Sequence, residues 1–345
     1  SIGKSTLIGG EGNDEVWGGS QDDSLVGGIG VDALRGEGGN DTILGGDGND
    51  NLQGGEGINQ LDGGKGDDYL WSIGKSTLIG GEGNDEVWGD SQGDSLVGGS
   101  GLDTLRGQDG NDTIFGGDDN DLLEGGYGVN QLDGGKGDDY LWSQGKSTLI
   151  GGDGHDQLFG STQDDSLLGG LGNDFIQPKL GDNTIYGDDG DDVVLLEHHS
   201  QNYVDSGSDN DNVQLIGNLA LTDSGTYDIH LGDGDDSAFL QAPGSATLYG
   251  EAGSDSFSIQ GDAFSSSVTA YGGDDGDDFT IQDGNLNADF YGEGGNDTMA
   301  MYNSVGSFSL YGGDGADYFR TSNTGFSFVD GGDDSDTISG WGLND

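Results

Sequence analysis

The 345-residue chain contains no cysteine, only two prolines and only nine lysine or arginine residues. Without cysteine, neither a disulfide nor a thiolate metal site can stabilise the fold. The 66 acidic residues leave a net charge of −57, which disfavours binding to nucleic acid or to anionic lipid head groups. No apolar run approaches the roughly 18 residues that a transmembrane helix needs, so the sequence predicts no membrane-spanning helix.

Glycine is abundant, with 76 residues, and much of it falls in a nine-residue repeat of the form Gly-Gly-x-Gly-x-Asp followed by x, an apolar residue and x. The first clear copy occupies residues 9–17. The glycines suit a turn that visits positive φ, and the three residues that follow suit a short strand whose middle side chain is buried. Val16, Leu34, Leu52 and Leu70 are such middle residues. This predicts a thin apolar core that cannot by itself offset the ordering entropy of so many glycines.

The repeats are grouped at a higher level. Residues 1–71 and 72–142 are near copies, and a degenerate third copy begins at residue 143. Each unit combines nonapeptides with one octapeptide, Ser72–Ile79 or Ser143–Ile150. Two nonapeptides form one coil, so the pattern predicts an all-β, right-handed parallel β-roll, a β-solenoid of about 18 coils. We expect a regular roll over 1–195, an irregular transition over 196–231 and a widened roll over 232–345.

The sixth-position aspartates are expected to form a row on each edge of the roll, because alternate loops fall on alternate edges. On the first edge the row has no omission. Its predicted members are Asp14, Asp32, Asp50, Asp68, Asp85, Asp103, Asp121, Asp139, Asp156, Asp174, Asp192, Asp211, Asp236, Asp255, Asp278, Asp297, Asp317 and Asp336.

The second edge is acidic only in patches. Its predicted members are Asp23, Asp41, Asp94, Asp112 and Asp165. Asn59, Asn130 and Asn183 take the position elsewhere, and the two octapeptides offer no acid. We therefore expect this edge to bind fewer ions than the first, and the motif is lost beyond Asn183.

Stacked carboxylates beside turn carbonyls predict Ca²⁺, which takes six to eight oxygen ligands in flexible geometry. Mg²⁺ needs a tighter octahedral site, whereas Zn²⁺ prefers thiolate or imidazole ligands. His155, His198, His199 and His230 show no metal-ligand or catalytic spacing and are expected to be surface loop residues. No nucleophile elbow or zinc-protease motif is present, so we expect no enzyme activity. We expect the chain to be largely unfolded without calcium.

Two sets of aromatic residues recur in register. Trp17, Trp71, Trp88, Trp142 and Phe159 occupy the outward ninth position. They either cover the coil where an octapeptide interrupts the calcium loops or form an exposed patch that binds a partner or glycan. A second set precedes first-edge loops in the widened half and predicts a stacked ladder; its members are Tyr249, Tyr271, Tyr291 and Tyr311.

From about Gly9 to Gly340 the chain resembles the repeats-in-toxin (RTX) family, also called hemolysin-type calcium-binding repeats. The resemblance implies a parallel β-roll, bound calcium, folding outside the cell and export by type I secretion. The function we favour is a structural solenoid of a bacterial surface layer, sheath, filament or adhesin, with self-association or a cell-surface polysaccharide as partner. The alternatives are the C-terminal calcium-dependent secretion and folding module of a larger secreted enzyme or toxin, and a glycan-binding surface module.

Ice binding is disfavoured by the loop sequences. An ice-binding array would repeat threonine at the third position of the loops, where this chain has Glu11, Ile29, Asp47 and Lys65. The sequence therefore points to calcium binding without a regular hydroxyl array on the loops.

Overall fold

The computed structural model describes residues 3–198, 200–216, 225–261, 266–322 and 326–340. Within these ranges all regular structure is β-strand, and all strand pairs are parallel, which confirms the predicted β-solenoid. No helix in these ranges is long and apolar enough to cross a bilayer. The chain forms two compact units, Ser1–Leu168 and Gly169–Asp345. The three-part division expected from the sequence stays a prediction, since residues 199 and 217–224 of its middle part lie outside the described residues.

The first unit contains short strands that alternate between two sheets, sheet A with the odd-numbered strands and sheet B with the even-numbered ones. The strands are β1 (Thr6–Glu11), β2 (Glu15–Gly19), β3 (Ser24–Ile29), β4 (Ala33–Glu37), β5 (Thr42–Asp47), β6 (Asn51–Glu56), β7 (Gln60–Lys65), β8 (Tyr69–Ile73), β9 (Thr77–Glu82), β10 (Glu86–Trp88), β11 (Ser95–Ser100), β12 (Thr104–Arg106), β13 (Thr113–Asp118), β14 (Leu122–Glu124), β15 (Asn130–Lys136), β16 (Tyr140–Trp142), β17 (Ser147–Asp153) and β18 (Gln157–Phe159). The strand β19 (Ser166–Leu171) contains the last residues of this unit and the first of the next.

Each strand of the first unit pairs with the strand one coil further along in the same sheet. Leu25 lies opposite Ile43, and Leu34 lies opposite Leu52. All four side chains have no solvent exposure. The buried middle residue of each nonapeptide, as predicted, forms a row of Leu, Ile and Val between the two sheets. Because each coil contributes only two such residues, this core is narrow.

The second unit has longer strands and longer coils. Its strands are β20 (Phe175–Lys179), β21 (Thr184–Asp189), β22 (Val193–Leu196), β23 (Gln201–Asp205), β24 (Asn212–Leu215), β25 (Thr226–Asp233), β26 (Ser237–Gln241), β27 (Ser245–Ala252), β28 (Ser256–Gln260), β29 (Ser266–Asp274), β30 (Asp278–Gly294), β31 (Thr298–Val305), β32 (Ser307–Asp314), β33 (Tyr318–Ser322), β34 (Phe326–Asp333) and β35 (Thr337–Gly340). The first part of β30 pairs with β28 in sheet B and the last part pairs with β29 in sheet A, so this strand rounds the second edge without a calcium-type loop.

The wider coils of the second unit hold a larger core. Its biggest fully buried side chains are all phenylalanine: Phe257, Phe279, Phe290, Phe308 and Phe319. Phe257 and Phe279 stack with ring centroids 4.8 Å apart, and Phe279 lies 5.0 Å from Phe290. Aromatic side chains bury more apolar area than the aliphatic residues of the first unit. The second unit therefore has the stronger apolar contribution to stability.

Some loop glycines cannot be replaced, because a neighbouring coil occupies the space of a side chain. Gly28 has φ of 124°, and a Cβ there would collide with the carbonyl oxygen of Gly10. Gly38 is a matched control, since its φ is ordinary and a Cβ there would lie 3.9 Å from its nearest neighbours. We expect Gly28→Ala to lower the free energy of unfolding by about 3 kcal/mol, and Gly38→Ala to change it by less than about 0.5 kcal/mol. Urea denaturation in saturating calcium measures both, and equal costs would contradict the packing described here.

Candidate metal centre

The first-edge aspartates form a hydrogen-bonded column in each unit. The backbone N–H of each aspartate donates to Oδ1 of the aspartate one coil further along, for example from Asp85 to Asp103 at 2.7 Å and from Asp236 to Asp255 at 2.9 Å. In the first unit the column contains Asp14, Asp32, Asp50, Asp68, Asp85, Asp103, Asp121, Asp139 and Asp156. In the second it contains Asp174, Asp192, Asp211, Asp236, Asp255, Asp277, Asp297, Asp317 and Asp336.

One predicted member of this column is corrected. Asp277, and not Asp278, accepts the N–H of Asp255 and is 2 % exposed. Asp278 is the exposed first residue of β30. The loop here reads Gly-Gly-Asp-Asp-Gly-Asp, with its third glycine at the fifth position instead of the fourth. Counting from that glycine therefore assigned the sixth position to the wrong one of two adjacent aspartates.

The second carboxylate oxygen of these residues identifies the site. While Oδ1 accepts a backbone N–H, Oδ2 is buried and has no hydrogen-bond partner. Leaving a buried charged acceptor without a partner is costly, so this arrangement calls for a cation. Within the described residues the atoms concerned belong to Asp14, Asp32, Asp50, Asp68, Asp85, Asp103, Asp121, Asp139, Asp192, Asp211, Asp236, Asp255, Asp277, Asp297 and Asp317 on the first edge, and to Asp23, Asp41 and Asp112 on the second.

Backbone carbonyls lie beside these oxygens. A Cβ added to Gly45, the first residue of its loop, would collide with Oδ2 of Asp50 and with the carbonyl oxygen of Gly63 one coil further along. Two oxygen acceptors thus converge where only glycine leaves room. An all-oxygen set of carboxylate and carbonyl groups suits Ca²⁺, which these loops would hold and which would supply the missing positive charge.

The donor set cannot consist of side chains alone. No group of three or more His, Asp or Glu side chains with metal-binding geometry occurs in the described ranges. Each loop contributes one column carboxylate, and successive column carboxylates belong to successive coils. Backbone carbonyls such as that of Gly63 are therefore needed to complete each ligand set, which accounts for the glycine in the loops.

Burial changes the proton affinity of the columns. Desolvation raises the pKa of Asp68 and of Asp103 to about 7, and that of Asp121 to about 8, even though a backbone hydrogen bond opposes the shift in each case. In the second unit desolvation raises the pKa of Asp211 and of Asp277 to about 8. When no metal is bound, protons can therefore neutralise these carboxylates near neutral pH. Protons and metal ions compete for the same oxygen atoms.

The second edge of the first unit contains two interruptions whose polar groups are hydrogen-bonded within the protein. Asn59 Nδ2 donates to the carbonyl oxygen of Gly55 at 3.0 Å and to Ser72 Oγ at 3.0 Å, and Ser72 Oγ lies 2.8 Å from Ser76 Oγ. An amide that donates where the aspartates accept satisfies the site without a cation. The second copy repeats the network at Asn130 and Ser143.

These serines were not predicted as site residues, although their recurrence in both repeats is a signal for them.

Two predicted second-edge aspartates have backbone N–H donors for both carboxylate oxygens. Asp94 Oδ2 accepts the N–H of Asp90 at 3.0 Å, and Asp165 Oδ2 accepts that of Ser161 at 2.6 Å. The second-edge carboxylates with an orphaned oxygen are therefore Asp23, Asp41 and Asp112.

In the second unit the same column position becomes apolar. It is occupied in order by Asn183, Asn202, Tyr227, Ala246, Val268, Ala288 and Phe308. All seven side chains are buried. Carboxylate thus gives way to amide, phenol and finally hydrocarbon. The wide phenylalanine core replaces the second calcium row, which gives a physical reason for the loss of the motif beyond Asn183.

The predicted aromatic stripe lies on the outer face of sheet B in the first unit. Trp71 is opposite Trp88, and Trp142 is opposite Phe159. Trp17 is 54 % exposed, whereas the other four are half-buried. The guanidinium of Arg35 lies 5.1 Å from the Trp17 ring, and that of Arg106 lies 4.7 Å from the Trp88 ring. Whether this stripe covers the octapeptides or binds a partner stays a prediction.

The predicted tyrosine ladder is confirmed on the outer face of sheet A in the second unit. Tyr249, Tyr271, Tyr291 and Tyr311 stack at 5.2, 4.9 and 4.8 Å, with interplanar angles of 11° or less. The expectation that His230 is a loop residue was wrong. It lies in β25 and stacks on Tyr249 at 4.4 Å, because the outward position of that strand continues the ladder. His199 lies outside the described residues.

Replacing one column carboxylate by its amide tests the site directly. We expect Asp103→Asn to reduce the number of bound calcium ions by one or two, because a donating Nδ2 replaces the orphaned Oδ2, as at Asn59. Asp47→Asn, which makes the same charge change at an exposed third loop position, is expected to retain all ions. Equilibrium dialysis with radioactive calcium counts the ions, and equal stoichiometry in the two variants would contradict the assignment.

Comparison with known proteins agrees with the geometry. The family model of the RTX calcium-binding nonapeptide repeat matches residues 2–34, 26–61, 44–72, 73–105, 88–123, 106–141, 143–176 and 179–196, more than half of the chain. A search of curated proteins found no significant match. One similar solved structure is a hyperactive, Ca²⁺-dependent, β-helical antifreeze protein from an Antarctic bacterium, with 17 % identity, coverage of 86 % of each chain and a TM-score of 0.40. The chain belongs to the RTX calcium-binding nonapeptide repeat family and is a calcium-binding β-solenoid.

Proposed function

We propose that this protein is an extracellular structural solenoid, part of a bacterial surface layer, sheath, filament or adhesin. The observation that carries the proposal is the repetition of one outer surface. Along the outer face of sheet B in the first unit, nearly the same order of side chains occurs twice: Trp17, Arg35, Gln53, Trp71 and then Trp88, Arg106, Glu124, Trp142. The two series differ only at Gln53 and Glu124. Similar patches at a fixed interval can each make a similar contact with a neighbouring molecule.

Calcium would control this assembly through charge as well as through folding. The metal-free chain carries a net charge of −57, which opposes the approach of a second copy. Divalent ions at the buried columns neutralise a large part of that charge. Assembly is therefore expected only where calcium is plentiful, as it is outside cells, and we propose no catalytic role for the chain.

The alternative role is a secretion and folding module of a larger enzyme or toxin. Such a module has to fold on calcium but has no need to associate with itself. Type I export would serve either role. The two proposals differ in the state of the calcium-loaded chain, which is an ordered assembly in the first and a monomer in the second.

Electron microscopy and sedimentation velocity distinguish them. At about 10 mM calcium we expect filaments or sheets, and at equal magnesium we expect none, because Mg²⁺ retains its waters and needs tighter geometry. Magnesium has the same charge and thus controls for simple screening. A folded chain that stays monomeric across a wide range of calcium and protein concentrations would contradict the structural role and support the module.

A further inference from the structure

An open groove of about 500 Å³ lies on the outer face of sheet A in the second unit. It results from a shift in the aromatic ladder. Tyr203 lies opposite Asp228, and Asp228 lies opposite Thr247. The next rings, His230 and Tyr249, lie two residues further along their strands. Two short side chains therefore follow Tyr203 in its own column, and the space above them is the groove.

Aromatic rings and a polar rim line the groove. Tyr203 lies between Thr184 and Asp228 in one column of lining residues, and Tyr249 borders one side. The opposite rim is the next outward column, in which Gln201, Thr226 and Ser245 are mutually in register. Hydroxyl, amide and carboxylate groups therefore surround a cavity large enough for a small ligand.

The ring of Tyr203 differs from the rings inside the ladder. Tyr271 lies nearly parallel to a tyrosine on each side, at 5.2 and 4.9 Å, so both of its faces are covered. Tyr203 has only tilted neighbours in the described part of the chain, Tyr186 at 6.0 Å and 59° and His230 at 5.6 Å and 43°. Tyr203 can therefore offer part of a ring face to a ligand in the groove.

We propose that this groove binds a neutral carbohydrate, a segment of about two sugar rings. A sugar has an apolar C–H face that packs on an aromatic ring and a rim of hydroxyls that both donate and accept hydrogen bonds. Tyr203 supplies the ring, Asp228 accepts from hydroxyls, and Gln201 and Thr247 donate and accept. This inference rests on the proposed function and adds to it. A structural solenoid would bind a surface polymer, and the groove in the second unit is the place where that polymer would bind.

The charges around the groove select against anionic glycans. The exposed carboxylates of Asp182 and Asp228 line it. His230 lies 3.0 Å from Glu251 and 3.7 Å from Asp228, so two carboxylates surround the one imidazole beside the groove. Desolvation, followed by the charge of Asp205, raises the pKa of Tyr203, so its hydroxyl stays a donor. A uronic acid or sulfated sugar would meet net repulsion.

The test is titration calorimetry of the calcium-loaded full chain with hexasaccharides. The neutral probes are β-1,4-glucan, α-1,4-glucan, β-1,4-mannan and chitin oligomers, and the acidic probes are alginate and polygalacturonate oligomers. At least one neutral probe is expected to bind with Kd of about 0.1–1 mM, in the range of a shallow site. Tyr203→Ala should weaken that binding at least about tenfold, whereas Tyr203→Phe, which keeps the ring, should weaken it only about twofold to threefold. Tyr127→Ala, which removes an exposed tyrosine in the other unit, should leave it unchanged.

Absence of binding by every neutral probe would overturn the proposal. Binding that Tyr203→Ala leaves unchanged, or equal binding of the acidic probes, would do the same. Circular dichroism of each variant in calcium establishes that it is folded. Failure here is separable from failure of the structural role: assembly in the microscope without glycan binding overturns only this inference, and glycan binding by a permanent monomer overturns only the structural role.

Discussion

Withdrawal of calcium at neutral pH is expected to unfold the first unit before the second. The first unit has orphaned carboxylate oxygens on both edges and a narrow aliphatic core. The second unit has such oxygens on the first edge, while its second edge is occupied by residues such as Val268 and Phe308. An unpaired buried carboxylate costs several kcal/mol, whereas a buried apolar side chain contributes favourably.

The expected size of this effect is at least about a tenfold difference in the calcium concentration at which each unit is half unfolded, which corresponds to about 1.4 kcal/mol of folding free energy for each calcium ion bound. Four tryptophans, Trp17, Trp71, Trp88 and Trp142, lie in the first unit. In a Trp341→Phe background their fluorescence reports that unit alone.

Near-ultraviolet circular dichroism of the tyrosine ladder reports the second unit, and hydrogen exchange with mass spectrometry assigns both transitions to the sequence. Magnesium at equal concentration is the control and should not restore either signal. A single transition in which all peptides lose protection together would contradict the order, as would earlier loss of the ladder signal.

In the absence of calcium, the chain is expected to be more ordered at pH 4 than at pH 8. Desolvation raises the pKa of Asp68, Asp103 and Asp139 to about 7 and that of Asp121 to about 8. A group whose pKa is higher in the folded state than in the unfolded state stabilises the fold below its unfolded value, near 4. That stabilisation is lost progressively as the pH rises from the unfolded value to the folded values, here about 7 to 8.

Protons and calcium therefore compete for the same carboxylates. For calcium binding to the folded, protonated columns, the calcium midpoint is expected to fall by roughly a factor of ten per pH unit for each proton displaced per calcium ion bound. Far-ultraviolet circular dichroism of metal-stripped protein between pH 4 and pH 9 measures the first effect, and calcium titrations at pH 6, 7 and 8 measure the second. A metal-free chain whose β-structure increases with pH, or a calcium midpoint independent of pH, would contradict the buried columns.

The fold was accessible from the sequence because its period is strict. Because the same apolar position recurs every nine residues, the turn residues and the strand pairing both indicate the same coil. Leu34 and Leu52 can therefore be assigned to one buried row from the repeat alone. The first-edge column followed for the same reason. The one wrong residue in this column, Asp278 in place of Asp277, arose where a glycine was displaced within the loop.

The remaining features depend on side chains that meet across coils. Ser72 and Asn59 are 13 residues apart, the same spacing as Asp50 and Gly63, and they bond to each other because serine takes the place of the first loop glycine. His230 lies opposite Tyr249, 19 residues further along the chain, and stacks on it. The sequence repeat does not show this pairing, because its period is different in that region. Val268 and Phe308 take the column position that aspartate has in the first unit, and only the strand register shows this.

A crystal structure of the calcium-loaded chain with an anomalous difference map would locate the ions directly. We expect one line of calcium peaks along the first edge of each unit, beside the orphaned Oδ2 atoms, with peaks on the second edge near Asp23, Asp41 and Asp112 and none beside Asn59, Asn130 or Phe308. Peaks beside those three residues, or an absence of peaks beside Asp103 and Asp121, would contradict this expectation.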